Sequence, residues 1–135
     1  MKITVETSVK APLQSVWDRY TTASDITQWN FASPDWHAPH ATVDLREGGL
    51  FSSRMEAKDG SMGFDFAGTY TKIEPLRYIS YQFGDRTAEI EFAEHADAVK
   101  VTVSFDPENE YPLEFQKQGW QAILDNFKQY VEGLA

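Results

Sequence analysis

The sequence predicts an α+β domain in which an antiparallel sheet of six or seven strands curves around one long C-terminal helix. Two observations carry this. From Val43 to Phe105, apolar and polar residues alternate in short runs separated by turn residues, the pattern of consecutive hairpins with one dry and one wet face. After Pro112, apolar residues recur at helical spacing as far as about Gly133. A one-faced sheet has to cover its dry side, and this helix, about 30 Å long at ~1.5 Å per residue, is the one segment of sufficient length.

Taken in order, Ile3, Val5, Thr7 and Val9 alternate with Thr4, Glu6 and Ser8, which predicts a half-buried first strand ending at Ala11-Pro12. Pro12 suits the opening of a helix, and Leu13, Val16, Trp17 and Tyr20 then share one helical face. Ser24 and Asp25 are placed to cap a second short helix that ends near Trp29. From Asn30 to Ala41 the pattern predicts a loop, holding Pro34, Pro39, His37, His40, Phe31 and Trp36. Both helices are too short to cover the sheet and are expected to close one end of it.

The strands follow. Val43 and Leu45 precede a turn at Gly48-Gly49, and Phe51, Ser53 and Met55 share one face of the next strand. Asp59-Gly60 predicts a hairpin turn. Phe64, Phe66, Gly68 and Tyr70 share the dry face of a strand that ends before Glu74-Pro75. Ile79, Tyr81 and Phe83, then Ala88, Ile90 and Phe92, then Val99, Val101, Val103 and Phe105 complete the meander, with turns at Gly84-Asp85 and His95-Ala96-Asp97. The helical stripe is Leu113, Trp120, Ile123, Leu124, Phe127, Tyr130, Val131 and Leu134.

Composition narrows the function. A length of 135 residues fits one domain spanning 1–135. The absence of cysteine removes disulfides, thiolate zinc sites and a Cys nucleophile. No apolar run reaches the ~7–15 residues of a secretory leader or the ~20 of a membrane helix, so a cytoplasmic protein without a membrane partner is expected. A net charge of −9, with 12 basic residues scattered along the chain, argues against nucleic acid as a partner. Aromatics make up 14% of the residues, more than a small core requires, which suggests a heavy core or a lined pocket.

The catalytic signatures for nucleophilic serines, dinucleotides and phosphate loops are absent. His37 and His40 flank Pro39, which prevents the helix that would aim both rings at one ion, and no third ligand has motif spacing; neither a metal nor a cofactor is expected. Beside Trp36, His37 is placed to orient a ligand or act as a base at a pocket mouth, or else to be an ordinary loop histidine. Glu89 and Glu91 fall on the wet face by strand parity. Tyr70 and Tyr81 fall on the dry face, where a hydroxyl serves either an internal partner or a ligand. Small residues on the dry face (Ser53, Gly68 and Ala88) suggest a layer that is not filled. Gly119 inside the long helix suggests close approach of backbone, sheet or ligand.

Several strings together resemble a known superfamily. Ala11-Pro12 with Val16-Trp17, Ile26-Thr27-Gln28-Trp29, Asp44-Leu45-Arg46-Glu47-Gly48-Gly49, Gly68-Thr69-Tyr70 with Ile73-Glu74-Pro75, and Gly119-Trp120 with Leu124 and Tyr130 span nearly the whole chain. They are similar to the START-like SRPBCC superfamily, and within it to the branch of the activator of heat-shock-protein-90 ATPase. The resemblance implies a helix-grip fold of the START and Bet v type, with a cavity between sheet and C-terminal helix. Relatives include lipid carriers, polyketide cyclases, hormone receptors and co-chaperones, so ligand and activity are left open by it.

The leading expectation is a binding module whose partner is a small apolar or amphipathic molecule. Its candidate lining is Trp29, Phe31, Trp36, His37, Phe51, Met55, Phe64, Phe66, Tyr70, Tyr81, Trp120 and Phe127, many of which must also serve as core. One alternative is a cyclase- or hydrolase-like enzyme using His37, Tyr70 or Tyr81 in the same pocket. The other is chaperone binding with activation of its ATPase; the eukaryotic activators carry an additional N-terminal domain for which this chain has no room.

Overall fold

The alternating runs form strands in the computed structural model, which describes residues 2–134. The order is β1 (Ile3–Val9), α1 (Leu13–Thr21), α2 (Ala23–Ile26), β2 (Trp36–His37), β3 (Ala41–Val43), β4 (Leu50–Ala57), β5 (Gly63–Glu74), β6 (Tyr78–Phe83), β7 (Arg86–His95), β8 (Ala98–Phe105) and α3 (Leu113–Gly133). The antiparallel sheet runs β1-β8-β7-β6-β5-β4-β2, with β3 also on the outer side of β4. Because β2 and β3 share that edge, the described sheet is seven strands across. No described helix is long and apolar enough to cross a membrane.

Proline sets both helix starts. Pro12 and Pro112 stand at the N-caps, with φ of −61° and −57° and extended ψ, so each delivers the chain into the helix one residue later. The start of α2 differs from the expected cap. Thr22, not Ser24 or Asp25, precedes the helix, and Asp25 turns inward. Its carboxylate accepts hydrogen bonds from the Tyr130 hydroxyl at 2.5 Å and Arg19 Nη1 at 3.1 Å. Charge-assisted donors of this kind offset the desolvation of a buried carboxylate, and they tie α2 to α3.

Two further departures shape the sheet. The expected loop from Asn30 to Ala41 is interrupted by β2, where Trp36 pairs with Ala57 and His37 with Glu56. A two-residue strand is too short to show a period. In β5 the register shifts between Tyr70 and Lys72, and the strand continues to Glu74. This bulge lets Tyr70 and Ile73, three residues apart, both pack toward the core.

The densest core lies at the β1-β8-β7 side, where Val9, Val99, Val101, Ile90 and Phe105 are almost fully buried. There α3 packs closest on β1 and α1 through Leu124, Phe127 and Val131. Its first half is less enclosed: Trp120 and Ile123 are half-buried and Phe115 is exposed. The helix is thus seated at one end and stands off β4, β5 and β6 at the other.

Candidate functional site

That stand-off is a cavity of about 550 Å³. Its floor is the inward row of β4, β5 and β6: Phe51, Ser53 and Met55, then Phe64, Phe66 and Tyr70, then Ile79 and Tyr81. Its roof is the first half of α3, from Phe115 to Leu124. Tyr20, Ile26 and Trp29 of the N-terminal helical segment close the inner end, while Asn30, Ala32 and Trp36 form a rim. Strand parity puts the floor side chains on one face, because residues two apart project to the same side.

Of the twelve lining residues expected from sequence, the structure brings nine to the wall: Trp29, Trp36, Phe51, Met55, Phe64, Phe66, Tyr70, Tyr81 and Trp120. Phe127 lies behind, edge-on to Tyr20 and Trp29 with centroids 5.0 Å away in both cases. His37 follows Trp36 in β2 and so takes the opposite face, with Nε2 3.7 Å from Glu56 Oε1. It is therefore not at the pocket mouth. Phe31 is half-buried outside the wall, and its carbonyl accepts a 2.6 Å hydrogen bond from Asn126 Nδ2 that ties the rim segment to α3.

The small residues act differently from expectation. Only Ser53 opens onto the cavity. Beside Gly68 the space is already taken: an added Cβ would stand 2.4 Å from the Gln82 carbonyl and 2.8 Å from the Phe51 ring. Ala88 is fully buried beneath the wall. Gly119 reverses the other way. A Cβ there would meet nothing within 4 Å, so this glycine leaves space over the cavity and accommodates no close neighbour.

The wall is mainly apolar with few polar groups. The charged residues on it, among those described, are Arg86 and Glu108, whose Nη2 and Oε2 lie 3.9 Å apart. Arg86 is also held over the Phe83 ring at 4.5 Å. Gln116 fixes the loop carrying Glu108: its Oε1 accepts from the Glu108 N–H at 2.9 Å, and its Nε2 donates to the Glu108 and Tyr111 carbonyls. Burial pushes the Tyr70 phenol up to about 12. Burial, then the neighbouring Tyr20 and Tyr70, holds Tyr81 well above the ordinary tyrosine range. Tyr20 is raised by burial and then by Tyr70. All three are neutral near pH 7, so their hydroxyls stand as hydrogen-bonding groups.

Sequence reasoning missed Tyr20, which it assigned to the α1 core face, and the mouth residues Met62, Tyr111 and Phe115. The last three are exposed by 66%, 53% and 61%. Their signal was available: all are large apolar residues outside the alternating and helical stripes. No group of three His, Cys, Asp or Glu side chains that could hold a metal ion occurs among the described residues.

A curved antiparallel sheet, a long C-terminal helix and an apolar cavity between them define a helix-grip domain of the START-like class. The chain belongs to the family described as Activator of Hsp90 ATPase homolog 1-like protein, whose model matches residues 10–132. The chain is similar to the solution structure of the AHSA1-like protein from Aeromonas hydrophila, with 41% identity over 99% of this chain and 94% of that one, and a TM-score of 0.93. It is likewise similar to a solution structure from Cytophaga hutchinsonii, with 46% identity over 98% and 93% of the two chains and a TM-score of 0.84. A crystal structure from Nitrosomonas europaea shares the fold at 17% identity, covering 100% and 96% of the chains with a TM-score of 0.86. No curated protein matches the chain.

Proposed function

We propose that this protein binds a small hydrophobic or amphipathic molecule between α3 and the β4-β5-β6 face. The observation that carries the reading is the 550 Å³ cavity itself. Ligand pockets typically occupy ~300–1,000 Å³ and combine apolar walls with a few placed polar groups. The aromatic walls are packed on one another: the Phe51 ring lies 5.0 Å from Tyr70 and 4.8 Å from Tyr81, and Phe66 lies 6.1 Å from Trp120. The family to which the chain belongs has a fold that commonly takes hydrophobic ligands, which supports the same reading.

Titration with a fluorescent hydrophobic dye, paired with native mass spectrometry of freshly purified protein, tests it. Saturable binding of one dye per chain, weakened when Gly119→Leu narrows the cavity, is the expected result. Binding that survives Gly119→Leu unchanged would place the dye elsewhere and remove the proposal. A chaperone-activating role, which the family description names, separates cleanly in an ATPase assay: an activator raises the chaperone's rate, and a ligand carrier leaves it alone.

A further inference from the structure

Folding alone does not account for three of the six tyrosines. The half-buried Tyr78 and Tyr130 donate to Glu89 at 2.7 Å and to Asp25 at 2.5 Å, respectively. Tyr20, Tyr70 and Tyr81 all reach the cavity wall. Their hydroxyls have no protein hydrogen-bond partner among the described residues, and they do not bond to one another. No fully enclosed polar side-chain atom among the described residues lacks a partner, so these three hydroxyls are open to the cavity. Phenylalanine would fill each position without desolvating a hydroxyl.

The three come from separate elements and converge. Tyr70 and Tyr81 face each other directly across β5 and β6, and both rings contact Phe51. Tyr20 enters from α1, held edge-on between Phe92 and Phe127. The ionisation of Tyr20 is opposed by Tyr70, and that of Tyr81 by Tyr20 and Tyr70, in keeping with their proximity. Among the described residues, the charges on the wall are those of Arg86 and Glu108. Arg86 and Glu108 are turned to each other at the β6–β7 end, and Asp25 is occupied by Arg19 and Tyr130.

We infer that Tyr20, Tyr70 and Tyr81 form a polar recognition site inside the cavity for an uncharged ligand, one with a mainly apolar body and a single carbonyl or hydroxyl group. The inference rests on the cavity being a ligand site. A phenol both donates and accepts, so the cluster can give two hydrogen bonds to one carbonyl oxygen or exchange donor and acceptor with a hydroxyl. A carboxylate or ammonium would lose its water and meet only Arg86 and Glu108, which already face each other, and this is costly in an apolar enclosure.

Calorimetric or fluorescence titration with naphthalene, acetonaphthone and naphthoate, matched in body and differing in the polar group, tests the inference. Acetonaphthone should bind about tenfold more tightly than naphthalene, the effect of one well-made hydrogen bond, and more tightly than naphthoate. The triple variant Tyr20→Phe, Tyr70→Phe, Tyr81→Phe should bind acetonaphthone no more tightly than naphthalene. Its melting temperature should hold, because the hydroxyls removed have no protein partner. Equal affinity for naphthalene and acetonaphthone, tighter binding of naphthoate, or a preference that persists in the triple variant would each overturn the inference and leave the cavity a ligand site. Failure of all three probes and of the hydrophobic dye would remove both readings. Should the triple variant not fold, the three-probe comparison on the native protein decides alone.

Discussion

The indole of Trp120 lies flat against the ring of Phe105, their centroids 4.0 Å apart and their planes inclined by 8°. Phe105 is fully buried in β8, whereas Trp120 is half-buried and lines the cavity. One side chain therefore joins the solid half of the domain to the hollow half. Removal of a fully enclosed Trp typically costs ~3–5 kcal/mol, and an indole with one side on open space should cost less. We expect Trp120→Ala to lower stability by about 2 kcal/mol in a urea titration, and to weaken dye binding as well. A loss as large as that of a fully enclosed aromatic would mean the cavity closes in solution.

Gly119, one residue earlier, separates stability from binding. In a helix interior, glycine is about 1 kcal/mol less favourable than alanine. Nothing stands within 4 Å of where its Cβ would be. Gly119→Ala should therefore raise stability by about 0.5–1 kcal/mol. Gly119→Leu should keep the fold and reduce the affinity of any ligand that fills the cavity. Opposite signs for stability and affinity are the expected signature. A destabilised Gly119→Ala would show that the helix meets the sheet more closely than the structure has it.

The sequence made the floor of this site legible and its roof less so. Alternation fixed which side chains of β4, β5 and β6 face inward, since a one-residue slip would expose each strand's whole apolar set. No such constraint tells a filled interior from a hollow one, because Phe127 in the core and Trp120 at the wall obey the same helical period. Gly68 and Gly119 show the limit from the other side. Both are small residues at inward positions, yet one is crowded by the Phe51 ring and the other borders open space. Only the three-dimensional neighbours distinguish them. His37 shows a related limit: the two residues of β2 are too few to display parity, so the choice between a pocket-mouth and an outward histidine is made only by its pairing with Glu56.

Crowding at Gly68 gives a third test. An added methyl would press on the backbone carbonyl of Gln82, which is fixed in the β5–β6 ladder, and on the Phe51 ring. That ring lines the cavity, so displacing it alters the cavity wall. Overpacking of this kind typically costs ~1–3 kcal/mol. Gly68→Ala should lower the urea midpoint and, by displacing Phe51, weaken dye binding. An unchanged midpoint together with unchanged binding would contradict the contact.

Alkaline pH offers the last test, and its sign follows from the buried phenols. Tyr70 has its pKa raised from 10.0 to about 12, and Tyr81 lies well above 10.0. Below pH 10 the folded and unfolded chains both hold these protons, so the stabilising contribution is fully present. Above pH 10 the unfolded chain releases protons that the folded chain retains, and stability falls until the pH has passed the folded value. For Tyr70 alone, the rise from 10.0 to about 12 corresponds to a loss of about 3 kcal/mol at the upper end of that window. Base-induced unfolding, followed together by far-ultraviolet circular dichroism and phenolate absorbance, should thus begin above pH 10 with phenolate appearing as structure is lost. Tyr70→Phe and Tyr81→Phe remove the titrating groups, so both variants should unfold at higher pH than the parent. Unfolding at the same pH in both variants, or phenolate absorbance complete before structure changes, would mean that these phenols ionise within the fold and do not set its alkaline limit.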